Sequence, residues 1–186
     1  VPLLIVAPGC EKGQVCSSPV SHVDLYPTLM ELCGLTAPEG LQGQSLVPML
    51  KDTSLKGRGW ALTQVTRTLP ANQRKKQAEN KQATDGKQDA SAKSVAADQP
   101  GRYFGYSLRT DRWRYTEWAD GDKGAELYDH DNDPRELRNL AEHKEYQATR
   151  TELAEQLHAA IKTTYPPSGT TPEVQPGLWA PLLTQP

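Results

Sequence analysis

Nowhere does this chain carry the roughly 20 consecutive apolar residues that a membrane helix requires, so no such span is expected. Its 21 basic and 23 acidic residues leave a formal charge of -2, which gives the chain as a whole no reason to bind nucleic acid or a membrane surface. The three cysteines, Cys10, Cys16 and Cys33, lack any C-x-x-C spacing, which argues against a zinc knuckle or a redox pair. Cys10 and Cys16 flank a Gly-containing loop, where a disulfide and two free thiols both stay open. Cys33 follows Leu32 near an expected helix end, and its expected role is that of a small buried hydrophobe. With one phenylalanine, two methionines and 36% hydrophobic residues, core-forming material is sparse. The shortage is concentrated in two segments, so the remainder can bury a modest core.

An initiator methionine is also missing, and the chain opens directly on the apolar run Val1-Pro2-Leu3-Leu4-Ile5-Val6-Ala7. Such a run, stopped by Pro8-Gly9, suits a strand buried on both faces of a mainly parallel sheet. A strand of that kind needs neighbours, so a truncated chain is the expectation. A leader peptide would precede Val1, and nothing about export follows.

Further along, Asp24 is placed to cap a helix reaching Cys33, with Pro27 in its first turn, Leu25, Leu29, Leu32 and Cys33 at helical spacing, and Gly34 as the stop. Gly40–Leu50 reads GLQGQSLVPML, and Trp60–Val65 reads as a strand. Arg67–Gln99 holds seven Lys or Arg, four Asp or Glu and almost no large apolar residue. Its composition cannot offset the entropy of ordering, so disorder is expected. Order returns with GYSLRTDRWRYTEW at Gly105–Trp118, whose alternation predicts strand, turn and strand. Gly124–Ala141, GAELYDHDNDPRELRNLA, predicts a strand at Glu126–Asp129 and a turn through Asp131, Asn132, Asp133 and Pro134, leading into Leu137 and Leu140. A helix follows over roughly Tyr146–Thr163, with Leu153, Leu157, Ala160 and Ile161 as its apolar stripe. Six prolines from Pro166 to Pro186 end regular structure, although Leu178, Trp179, Leu182 and Leu183 could dock that tail.

Four of these passages, in this order, resemble the C-terminal part of type I sulfatases, closest to the iduronate-2-sulfatase branch of the alkaline-phosphatase-like superfold. They are the opening strand with Ser17–Leu35, the G-x-S-L-x-P-x-L stretch, and the two runs at Gly105–Trp118 and Gly124–Ala141. The resemblance covers about Val1–Val65 and Gly101–Ile161. It implies an α/β fragment: the terminal strand and helix of a large mixed sheet, then a small C-terminal antiparallel sheet packed on a helix. Four stretches follow: 1–66 as the end of the sulfatase core, 67–100 as a disordered insertion, 101–164 as the antiparallel subdomain, and 165–186 as a Pro-rich tail.

The family hydrolyses sulfate esters of sugars with a formylglycine made from Cys or Ser in a C/S-x-P/A-x-R context, and with calcium held by Asp and Asn. That motif is absent: Cys16 is followed by Ser17-Ser18-Pro19-Val20, and Cys10 and Cys33 fail likewise. The resemblance therefore implies a chain inactive alone, with no catalytic residue, metal ligand or cofactor of its own. Its expected partners are a missing N-terminal catalytic domain, which carries calcium and formylglycine, and a sulfated sugar. A periplasmic, extracellular or lysosomal setting is implied by the resemblance only. Rival readings are a free-standing glycan-binding or scaffold module and a phosphatase or phosphonate hydrolase of the same superfold.

Two local features invite chemistry. Asp129, Asp131 and Asp133 alternate as calcium ligands do, but Pro134 stands where an EF-hand loop needs Gly and Leu140 where it needs Glu, so a tight Asx turn is the reading. Arg109, Arg112, Trp113 and Arg114 combine guanidinium forks with an aromatic plate, a set suited to a sulfated or uronic sugar. Packing competes with that reading, with Trp113 and Tyr115 facing a core and Arg109 paired with Glu126 or Glu117. His22, His130, His143 and His158 read as isolated. For Arg67–Gln99, limited trypsin digestion is expected to cut first at Arg74, Lys75, Lys76 or Lys81; protection of those bonds in the folded protein would show that the segment packs.

Overall fold

The computed structural model describes residues 2–68 and 102–164. A 3-10 turn at His22–Asp24 leads into α1 (Leu25–Leu32), and a second short helix, α2, spans Val47–Lys51. Four strands follow: β1 (Trp60–Thr68), β2 (Arg102–Thr110), β3 (Trp113–Trp118) and β4 (Ala125–Asp129). After a 3-10 turn at Lys144–Tyr146 the long helix α3 (Gln147–Lys162) closes the described chain. The strands form one antiparallel sheet in the order β1-β2-β3-β4. β1 pairs with β2 along its whole length, Trp60 opposite Thr110 and Thr68 opposite Arg102, so the sheet crosses the boundary that the sequence reading set at residue 66. Apart from Arg67 and Thr68, the predicted insertion at 67–100 lies outside the described residues, as does the tail at 165–186.

The strand-turn-strand expected from Gly105–Trp118 is present, and the predicted strand at Glu126–Asp129 is β4. α3 forms within a residue of its predicted bounds, and its stripe is what the sheet buries. Leu153, Leu157 and Ala160 pack on Leu108, Tyr115 and Leu127, with Leu140 and Ala141 completing the cluster. Each strand gives alternate residues to this core, as the pleat dictates. Trp113 and Tyr115 both face it, as the alternation implied; the Trp113 ring meets Tyr146 edge-on at 6.0 Å. A polar chain fastens the same layer. Burial and the neighbouring Glu117 push the Tyr115 hydroxyl up to about 12, and that hydroxyl donates to Glu117 Oε1 at 2.7 Å. Glu117 Oε2 lies 2.7 Å from His158 Nε2 on α3.

Asp24 does not act as a simple helix cap. Its carboxylate is buried and accepts from the Ser21 and Gln44 N–H groups at 2.8 and 2.9 Å and from Arg58 Nη2 at 2.6 Å. Thr28 Oγ1 accepts from the Leu46 N–H at 2.9 Å, so α1 is tied to the start of α2. The glycine of the G-x-S-L-x-P-x-L stretch is explained by this clamp: a Cβ on Gly43 would sit 1.9 Å from the Val23 carbonyl oxygen.

Other expectations fail for one shared reason. Residues 2–7 form no strand, and Leu4 and Val6 stand exposed, because no neighbouring strand lies beside them among the described residues. On α1, Leu29 and Cys33 are exposed while Pro27 and Thr28 are buried, so the expected apolar stripe has no cover there and Cys33 is not a core residue. Cys10 and Cys16 are free thiols; Cys16 Sγ lies 3.8 Å from the Leu55 carbonyl oxygen.

Truncating Leu157, which is fully buried between α3 and the sheet, is expected to lower stability by about 2–5 kcal/mol in urea unfolding. Leu137→Ala, at a side chain left 81% exposed, is expected to change it by less than about 0.5 kcal/mol.

Candidate functional site: an arginine-walled cleft

A sheet covered by one helix leaves its second face to other uses, and here that face is polar towards the β2–β3 hairpin, while Trp118 packs over Gly105 at the other end of the same strand pair. The register sets Thr63 opposite Ser107, Ser107 opposite Thr116, and Arg109 opposite Arg114. Ser107 and Thr116 share a 2.8 Å hydroxyl bond. Between this face, the N-terminal segment and α2 lies a cleft of about 720 Å³. Arg109 and Arg114 stand in one wall with Ala61 and Thr63, and the apolar residues Leu3 and Leu4 with Cys10 and Cys16 stand in another.

The two guanidiniums are held differently. Arg109 does not pair with Glu126 or Glu117. Those carboxylates are engaged elsewhere: Glu126 accepts from Trp118 Nε1 at 3.0 Å, and Glu117 serves Tyr115 and His158. Arg109 Nη1 instead donates to the main-chain oxygens of Thr110, of Asp111 at 3.1 Å and of Trp113 at 3.3 Å, folding back over the hairpin turn. Burial pulls its pKa down and the facing Arg114 pulls it further, against weaker support from Glu136, Asp111 and Asp131. Arg114 Nη1 lies 3.1 Å from both oxygens of Glu136. Glu136 Oε1 also sits 2.7 Å from His130 Nε2. His130 and His158 are thus partnered rather than isolated. Their acids come from a turn and from another strand, contacts that sequence spacing does not reveal.

Arg112 and Trp113 lie away from the cleft. Arg112 grips Asp129 with two bonds, Nε to Oδ1 at 2.9 Å and Nη2 to Oδ2 at 2.6 Å. Trp113 belongs to the opposite face. Of the four arginine and tryptophan candidates, the structure therefore brings together Arg109 and Arg114. Sequence reasoning missed Glu136, whose only signal was a place in the polar turn after Pro134.

The aspartate run is a self-bonded turn. Asp129 accepts from the Asp131 N–H at 3.1 Å and from Asn132 Nδ2 at 2.8 Å, and Asp133 Oδ2 accepts from the Arg138 N–H at 2.9 Å. The Arg112 guanidinium holds the Asp129 carboxyl far below the usual carboxylate range against the opposing effect of burial, with Asn132 and the Asp131 N–H adding to it. Asn139 completes the turn by acting as a strand in miniature: its Oδ1 accepts from the Leu127 N–H at 2.9 Å and its Nδ2 donates to the Ala125 oxygen at 3.1 Å. Among the described residues no group of three or more His, Cys, Asp or Glu is arranged to hold a metal. No described helix is long and apolar enough to cross a membrane.

Comparison with known proteins places these features. Residues 1–62 and 98–163 match the family described as N-sulphoglucosamine sulphohydrolase, C-terminal. Arylsulfatase K of Xenopus laevis is 34% identical over 150 residues, a match covering 76% of this chain and 22% of that protein. Arylsulfatase K of Homo sapiens is 31% identical over 142 residues, with the same coverage of 76% and 22%. The chain thus spans about a fifth of the length of the curated relatives it matches. Among solved structures, a 2-O GAG sulfatase superimposes with a TM-score of 0.52 at 22% identity, covering 82% of this chain and 27% of the other. A Bacteroides thetaiotaomicron sulfatase structure gives 0.52 at 23% identity, again over 82% and 27%. At such identities the likeness shows the fold: a small antiparallel sheet with its covering helix, as found in sulfatases.

Because Asp129 has a depressed pKa when folded, its contribution to stability is complete above the unfolded value near 4 and is lost as pH falls from there towards the folded value. Wild type is expected to lose more stability than Asp129→Asn between about pH 6 and about pH 3, read from urea midpoints. Arg112→Ala, which strands the buried carboxylate beside a partner that was itself 46% exposed, is expected to cost about 1–3 kcal/mol at neutral pH.

Proposed function

The chain belongs to the N-sulphoglucosamine sulphohydrolase C-terminal family, and on that premise we propose that it is the C-terminal subdomain of a sulfatase, a sulfuric ester hydrolase acting on sulfated sugars. The observation that carries the substrate side of this reading is the cross-strand pair Arg109 and Arg114 in the wall of the cleft. Two neighbouring cations repel, and an anionic group placed between them relieves that repulsion while gaining charge-assisted hydrogen bonds. A planar uronic carboxylate and a tetrahedral sulfate ester each present a pair of oxygens that a guanidinium fork can take bidentately. Thr63, in the same wall, offers a hydroxyl for a sugar hydroxyl.

In this reading the chain's own side chains bind and orient the sugar. Formylglycine and calcium would supply the nucleophile and the Lewis acid from residues outside this chain, since the three cysteines here lack the modification context. The finer reading, a 2-sulfated uronic sugar as in the iduronate-2-sulfatase branch, rests on the resemblance of the runs at Gly105–Trp118 and Gly124–Ala141. A glycan-binding module without hydrolysis would use the same arginines, and turnover by the complete protein that carries this chain separates the two.

Two measurements test the division of labour. The purified 186-residue chain, assayed with calcium on an aryl sulfate and on a sulfated uronic disaccharide, is expected to give no turnover above a heat-treated control. Turnover intrinsic to it would overturn the reading. In the complete enzyme carrying this chain, Arg109→Ala is expected to lower kcat/KM for the disaccharide roughly 10- to 100-fold, the loss of one charge-assisted contact of about 1.5–3 kcal/mol. An unchanged kcat/KM with a lowered Tm would return Arg109 to a purely structural role.

A further inference from the structure

Among the described residues, three other than glycine have left-handed backbone: Ala119, Asp120 and Glu136. Ala119 and Asp120 belong to the tight β3–β4 connection, where such a conformation is ordinary. Glu136, at φ 57°, follows the aspartate turn, and its N–H donates to the Asp133 oxygen at 3.1 Å. Left-handed backbone disfavours any residue with a Cβ, and glycine would accept it freely. A glutamate held there needs a reason.

Stability is a poor one. The Glu136 side chain is 24% exposed and its partner Arg114 is 40% exposed, and half-exposed ion pairs contribute little. What the conformation does achieve is placement. It sets the carboxylate between two groups, His130 Nε2 at 2.7 Å from Oε1 and Arg114 Nη1 at 3.1 Å from both oxygens. Arg114 needs such a hold because its cross-strand neighbour is another cation. Arg109 is anchored from the other side by the carbonyls of Thr110, Asp111 and Trp113. Counted together, Arg109, Arg114 and Glu136 leave one positive charge, which matches a single sulfate ester or carboxylate.

We propose that Glu136, backed by His130, is a positioning residue that holds the Arg114 guanidinium beside Arg109 so that the two receive one anionic group of the sugar. The inference rests on the reading of Arg109 and Arg114 as substrate contacts. Backbone strain persisting where the surroundings over-determine it is characteristic of functional sites. Glu136 touches no substrate itself.

The test is a double-mutant cycle in the complete enzyme that carries this chain, with a 2-O-sulfated uronic disaccharide as the probe. Arg114→Ala and Glu136→Gln are each expected to raise KM about 10-fold, with the loss falling on KM rather than kcat, the pattern of lost substrate binding. The double variant Arg114→Ala/Glu136→Gln is expected to be no worse than Arg114→Ala alone. Glu136→Gly, which removes the carboxylate and relaxes the backbone, is expected to show the same rise in KM with an equal or higher Tm; this second variant keeps the test decisive where Glu136→Gln folds poorly. If Arg114→Ala leaves KM unchanged, the substrate reading itself falls, and the positioning role with it. If Arg114→Ala raises KM while Glu136→Gln and Glu136→Gly do not, or if the two losses multiply in the double variant, the substrate reading stands and the positioning role is overturned.

Discussion

Period-two alternation on a sheet that has one covering helix is the constraint from which the rest of this structure follows. Leu108, Tyr115 and Leu127 lie on one face, and α3 removes them from water. The residues between them necessarily point the other way. Ser107, Arg109, Arg114 and Thr116 are therefore grouped by the same register that builds the core. A one-residue slip would exchange the two sets, burying the arginines and exposing the leucines. Core and cleft are two consequences of one pairing.

Buried or half-buried carboxylates do the joining that a small apolar core cannot. Asp24 ties the entry to α1, the loop at Gln44 and Arg58 ahead of β1. Asp129 ties the end of β4 to the β2–β3 turn through Arg112. Glu117 ties β3 to α3 through His158 and to Tyr115 within the strand. Each acid meets more than one donor, which is what allows a charge to remain where water is scarce. Glu136 follows the same pattern on the open face, where its carboxylate orders a cation that still faces the cleft. The difference lies in what the arginine meets: Arg58 and Arg112 spend their forks on buried acids, whereas Arg114 meets the partly exposed Glu136 and stands in the wall of the cleft.

Elements with local causes were legible from the residues. The hairpin announced itself by alternation in Gly105–Trp118, α3 by a stripe at Leu153, Leu157 and Ala160, and the aspartate turn by residues whose side chains bond their own backbone. The sulfatase likeness rested on four such passages in order, and the family match over residues 1–62 and 98–163 agrees with it. Apolar patterning misled where nothing among the described residues covers it: Leu4, Val6 and Leu29 carry the pattern of buried positions and stand exposed.

The sequence by itself determined which segments alternate, which coil and which turn, because those signals are set by neighbours a few residues apart. Partner choice was decided only by the tertiary structure. Arg109 looked ready for Glu117 or Glu126, yet the fold gives Glu117 to His158, 41 residues away, and Glu126 to Trp118, leaving Arg109 to main-chain carbonyls. Arg112 and Arg114 stand two positions apart and were indistinguishable as letters. One lies at the hairpin turn within reach of buried Asp129, and the other faces the cleft beside Arg109. Long side chains choose partners by distance in space, and that distance exists only once the register is fixed and the helix has taken one face of the sheet.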